Sequence, residues 1–137
     1  MILVDTGYLI ALTDPVDSLH QRTLAWSATV RVPLLVTEYV LLETVNHFSA
    51  PMNRRRVHVV LQNVRSAADI WQVISASPAL FKAGVQLHAA REDKEWTLTD
   101  CISFVVMGAR NLTRALAYDH HFEQAGFEPL LRREPTG

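Results

Sequence analysis

A lone cysteine, Cys101, in 137 residues excludes an internal disulfide and a cysteine-rich zinc framework, and suits a reducing compartment. Charge of one sign is also scarce. Thirteen basic and 14 acidic residues leave a net charge of -1, so no global basic field draws the chain to nucleic acid or membrane, and a polyanionic partner must meet a local patch. Long apolar runs are missing too, for none reaches the ~18 residues of a membrane span. The apolar start Ile2-Leu3-Val4 stops at Asp5 and lacks a basic region before it, so it does not read as a signal peptide. Neither a repeat nor a low-complexity segment is present. The expectation is a soluble cytoplasmic protein without a membrane segment. Its length fits one domain over residues 1–137, and 49% hydrophobic content is enough for a core.

Short apolar runs alternate with helical patterns along the chain. "ILV", "PLLV", "IWQVI", "RALAYD" and "EPLL" read as strands. Between them, "SLHQRTLAWSATV" reads as a helix capped by Asp17 or Ser18, and "EYVLLETVNHF" as one capped by Thr37, with Glu43 and Asn46 sharing a face at i, i+3. Asn53 is the expected cap of "RRRVHVVLQNVRSA", Ser77-Pro78 opens the next helix, and Thr99 is the expected cap of "DCISFVVMGAR", which Asn111 stops. "HHFEQAG" is a short helix closed by Gly126. Such alternation predicts an α/β fold with a short parallel sheet of about five strands, covered by helices on both faces.

In sheets of this kind, sites form at the carboxyl ends of strands near the switch in strand order. Asp5 ends the first strand, Asp119 ends the "RALAYD" strand, Asp100 opens the helix before that strand, and Glu43 lies in the helix after the second strand. All four can face one pocket. Each also has an ordinary reading: Asp5 as a turn cap, Glu43 as an exposed helix charge, Asp100 as a dipole-complementing acid, Asp119 as the cap of the short helix. Asp5-Thr6-Gly7 after apolar residues is, in addition, the signature of dimeric aspartic proteases, which need a mostly β chain; the helical patterns here make that a distant alternative.

The blocks "VDTGYLIAL", "TEYVLLETVN", "WTLTDCISFVVM" and "ALAYDHHFEQAGF" resemble, in order and separation, the four acidic blocks of PIN-domain ribonucleases, specifically the VapC-like toxins of toxin-antitoxin pairs. The resemblance spans nearly the whole chain and implies a single PIN-like nuclease domain. It implies that Asp5, Glu43, Asp100 and Asp119 hold one or two Mg²⁺ or Mn²⁺ ions, with Thr6, Asn46, Thr99 and Ser103 at the polar positions near them. It also implies hydrolysis of RNA phosphodiester bonds through a metal-activated water, a cognate antitoxin and a homodimer. The chemistry agrees: hard divalent cations take oxygen ligands, and four carboxylates brought together without one repel each other. Gly7 stands where many relatives have Ser or Asn, and Tyr118 where a small hydroxyl residue is frequent, so these two positions depart from the pattern.

Other residues carry weaker signals. Arg54, Arg55 and Arg56 are candidates for contacts to an RNA backbone, against the alternative of a solvated helix face. Trp26, Trp71 and Trp96 are expected in the core or an interface, although aromatic rings also stack on bases. His120 and His121 are expected to be partly exposed, and Cys101 to pack as a small hydrophobe without a catalytic part. From a different class comes the alternative of a catalytically weak PIN-like module that binds RNA or protein; the presence of all four acids argues against it.

Overall fold

A computed structural model describes residues 1–136. In chain order the elements are β1 (Ile2–Val4), α1 (Thr6–Thr13), α2 (His20–Thr29), β2 (Leu34–Thr37), α3 (Glu38–His47), α4 (Pro51–Ser66) and β3 (Trp71–Ile74). There follow α5 (Pro78–Ala90), α6 (Leu98–Ala109), β4 (Arg114–Leu116), α7 (His120–Gln124) and β5 (Glu128–Pro129), with a 3-10 turn at Leu130–Arg132.

All pairings are parallel, and the sheet order is β3-β2-β1-β4-β5. The expected α/β fold is borne out. Every residue of β1 is buried, because a parallel strand with both faces covered has no solvent side. Side-chain alternation then divides the core. Ile2 and Val4 pack with Tyr8 and Leu9 of α1, Trp26 of α2, Val40 and Leu41 of α3 and Val64 of α4. Leu3 points the other way, with Cys101, Phe104 and Met107 of α6 and Phe122 of α7. Chain order runs outward from β1 through β2 to β3, then crosses to β4 on the other side of β1. The switch point therefore lies between β1 and β4, which align Leu3 with Ala115 and Val4 with Leu116.

Several boundaries differ from the sequence expectations. The sequence does not mark α1: "TGYLIALT" is apolar on nearly every side because it is wedged between the sheet and other helices, so no 3.6-residue stripe sets it apart. α2 begins after Leu19; Asp17 accepts a bond from the Leu19 N–H but does not cap the helix, and nor does Ser18. α4 starts at Pro51 rather than after Asn53, since proline at the first helical position needs no N–H partner. α6 is capped by Thr97, not Thr99: Thr97 Oγ1 accepts from the Asp100 N–H at 3.0 Å, and Asp100 Oδ2 accepts from the Thr97 N–H at 3.1 Å. That reciprocal box requires the carboxylate three positions after the hydroxyl, a spacing Thr99 cannot supply. Thr37 and Ser77 do cap α3 and α5, and Asn111 takes the left-handed conformation just beyond α6, as expected. The last strand is shorter than "EPLL", since Leu130 and Leu131 enter the 3-10 turn.

α5 and α6 approach closely at Gly84, where an added Cβ would run into the side chain of buried Ile102. Gly84→Val is expected to cost about 1–3 kcal/mol by overpacking. Urea unfolding measures it; an unchanged midpoint would show that the two helices have room to part.

Candidate active site

β1 ends at Val4, and the next residue, Asp5, is turned into a cavity of about 600 Å³ beside the switch point. Asp100, at the start of α6, Asp119, at the start of α7, and Glu43, halfway along α3, line the same cavity. The fold thus brings the four sequence-predicted acids to one place from four elements.

Their environments differ. Asp5 and Asp100 are 7% exposed, whereas Glu43 lies on an exposed stretch of α3 and the Asp119 side chain is 42% exposed. Asp5 occupies the position before α1 yet makes no side-chain cap bond to it, so the turn-cap reading does not account for this buried acid. Burial first, and the charge of Asp100 next, push its pKa up to about 7; Glu43 and Asp119 add to the rise, and the Thr6 N–H offsets part of it. Asp100 is also held above the ordinary carboxylate range by burial, against the pull of the Thr97 N–H and His121.

Asp100 and Asp119 do serve as helix-start acids. Asp100 completes the cap of α6, and Asp119 Oδ1 accepts from the His121 N–H at 3.0 Å. Each has oxygen capacity left over, because a carboxylate offers about four lone-pair sites. His121 is the residue that sequence reasoning undervalued. Its side chain is only 13% exposed, and its Nδ1 lies 2.9 Å from Asp100 Oδ2 and 3.3 Å from Asp119 Oδ1, so a protonated Nδ1 donates to Asp100 and ties α7 to α6. The neighbouring His120 is 60% exposed and lies 3.3 Å from Asp119. Asp119, His120 and His121 bring one ligand atom each to within 4.8 Å of one another. Adjacency to Asp119 was the available signal, but which ring turns inward depends on how α7 packs.

The surrounding polar residues divide. Thr6 lines the cavity, and its Oγ1 is buried without a hydrogen-bond partner. Ser103 lies one turn beyond Asp100 on α6, also buried with an unpartnered hydroxyl. Asn46 is exposed on α3, and neither it nor Thr99 lines the cavity. Arg54, Arg55 and Arg56 are exposed along α4, away from the cavity lining, with Arg54 donating to the Ser49 carbonyl. Trp26 and Trp96 are buried and Trp71 packs against the core, which assigns them to structure rather than to base stacking. Cys101 is buried, as expected.

Fold and acid placement agree with what the four acidic blocks implied, and the chain is similar in sequence and in fold to a VapC toxin. The chain is 27% identical over 130 residues, 93% of its own length and 95% of the relative's, to the 23S rRNA-specific endonuclease VapC20 of Mycobacterium tuberculosis. The crystal structure of that sarcin-ricin loop cleaving toxin superposes with a TM-score of 0.86 at 22% identity, covering 94% of this chain and 98% of that one. FitAcB from Neisseria gonorrhoeae matches with a TM-score of 0.67 at 17% identity, over 95% of this chain and 99% of that one. No protein-family model matches the chain.

Proposed function

We propose that the chain is a metal-dependent endoribonuclease of the VapC-like PIN type, the toxin of a toxin-antitoxin pair. One observation carries the reading: four carboxylates from four elements converge on a single cavity at the switch point of the sheet. A buried acid such as Asp5, uncommitted to a cap and pressed by a neighbouring carboxylate, is a group that a cation would relieve. The donor set is oxygen-rich and includes the unpartnered Thr6 hydroxyl, which fits Mg²⁺ or Mn²⁺.

Asp5, Asp100, Glu43 and Asp119 would hold one or two such ions, the first two most rigidly because burial and the α6 cap fix them. A divalent ion bound there supplies charge neutralisation at the phosphate and a water acidic enough to attack near neutral pH. Protein groups do the rest. His121 orients Asp100 through its Nδ1 proton, Asp119 anchors α7 beside the cavity, and the exposed Glu43 and partly exposed Asp119 leave the mouth open to a polymer. RNA is the proposed substrate, and the relative's action on 23S rRNA makes structured ribosomal RNA the first one to try. An antitoxin protein, a homodimeric state, a single nuclease domain and a cytoplasmic setting complete the proposal; among the described residues no helix is long and apolar enough to cross a membrane.

Incubating purified protein with total RNA and with ribosomes, in Mn²⁺ or Mg²⁺ and in EDTA, with Asp5→Ala as the control, tests the reading. Discrete products that need both metal and Asp5 are expected. A protein that binds RNA and never cuts it would be the binding module instead. A second expectation concerns metal alone: at about a hundredfold excess over Kd, Mn²⁺ stabilises the fold by about 2.7 kcal/mol. Because Asp5 keeps its proton until about pH 7, the cation must displace that proton under acidic conditions, so the rise in Tm is larger near pH 8 than near pH 5.5. Equal shifts at both values would remove Asp5 from the metal site.

A further inference from the structure

The carboxylate cavity poses an electrostatic problem for the proposed substrate. Asp5, Asp17, Glu43, Asp100 and Asp119 all line it, and an RNA backbone brings further negative charge. Among the described lining residues, one side chain carries a permanent positive charge. It is Arg132, in the 3-10 turn after β5.

Its setting is unusual for an arginine beside so many acids. Among the described residues Arg132 makes no salt bridge. It is held instead by two neutral groups of one residue: its guanidinium donates to the Tyr118 carbonyl at 2.9 Å and sits 4.7 Å over the Tyr118 ring. A guanidinium has five N–H donors, so an oriented and largely unspent fork remains. Tyr118 lines the same cavity, immediately before Asp119, and is 43% exposed, outside both core clusters.

Resting on the nuclease reading, we propose that Arg132 and Tyr118 are a substrate-positioning pair at the cavity mouth: the guanidinium takes a backbone phosphate of the RNA, and the tyrosine ring stacks on an unpaired base. The stacked guanidinium keeps the ring in place, and the ring keeps the fork pointed, so each preorganises the other. Planar, bidentate recognition of phosphate is what arginine does better than lysine, and base stacking needs only a free aromatic surface. Both contacts lie beside Asp119, which places the nucleotide next to the acids rather than elsewhere on the protein.

Binding of a fluorescently labelled single-stranded RNA oligonucleotide, followed by anisotropy in EDTA from low to moderate salt, tests the pair without depending on cleavage. Arg132→Ala is expected to weaken binding roughly tenfold and to reduce the slope of log K against log salt by about 0.7, the loss of one phosphate contact. Arg132→Lys keeps the slope and loses part of the affinity. Tyr118→Ala weakens binding roughly tenfold with the slope unchanged, and Tyr118→Phe binds as the parent does. In cleavage with Mn²⁺, Arg132→Ala raises KM and leaves kcat within a few-fold. A latch that merely fastens the 3-10 turn would lower Tm in Arg132→Ala without moving the salt slope, and that result overturns the proposal, as does a parent protein that binds no RNA. A parent that binds RNA with the expected slopes but never cuts would overturn the nuclease reading and leave the pair standing.

Discussion

Asp100→Asn is expected to slow RNA cleavage about a thousandfold, a loss of about 4 kcal/mol of transition-state stabilisation, while the protein stays folded. The fold survives because asparagine preserves the structural part of the residue. Its amide oxygen still accepts the Thr97 N–H that closes the α6 cap, or the His121 proton, and a neutral amide at the third helical position gives up only the small favourable interaction of the charge with the helix dipole. The charge that would hold the cation is gone. Cleavage of ribosomal RNA under single-turnover conditions, with circular dichroism and Tm as controls, measures the two parts separately. Full activity would take Asp100 out of the site, and an unfolded variant would show that the carboxylate itself is needed for the cap.

The second large effect has the opposite sign. Asp5→Asn is expected to stabilise the metal-free protein at pH 8 by up to about 4 kcal/mol and to change its stability little below pH 4. The folded-state pKa of Asp5 is raised from 3.8 to about 7, so between those values the folded chain holds a proton that the unfolded chain has released. The folded state therefore binds more protons, and stability falls as pH rises through that window, then levels off. Asparagine cannot ionise and loses nothing over the same range. Urea unfolding in EDTA at several pH values checks this. Parallel curves for the two proteins would mean that Asp5 ionises in the fold as freely as in water. Together the two variants separate what the acids do for activity from what they cost in stability, a cost that a bound cation would offset.

Much of the candidate site is legible in the sequence. A carboxylate straight after an apolar strand, or straight before a helix, is visible as sequence, because strand ends and helix caps leave local marks. Thr37 and Ser77 are legible as helix caps for the same reason. α1 is not legible because a helix apolar on nearly every side has no stripe, and the α6 cap is not because two threonines near one acid compete and only backbone geometry selects Thr97 over Thr99. Nor did sequence locate His121 against Asp100, 21 positions away, or Arg132 over Tyr118, 14 positions away.

By itself the sequence determined the alternation of strands and helices and the parallel sheet, which follow from periodicity, while the joint role of the four acids is what the resemblance of their blocks to one family implied. Tertiary structure decided how those acids differ. Burial of Asp5 and Asp100 and exposure of Glu43 and, in part, of Asp119 arise where α1, α3, α6 and α7 close around the gap between β1 and β4. Desolvation and through-space charge depend on distances between residues far apart in the chain, and a linear pattern of residues carries no such distances.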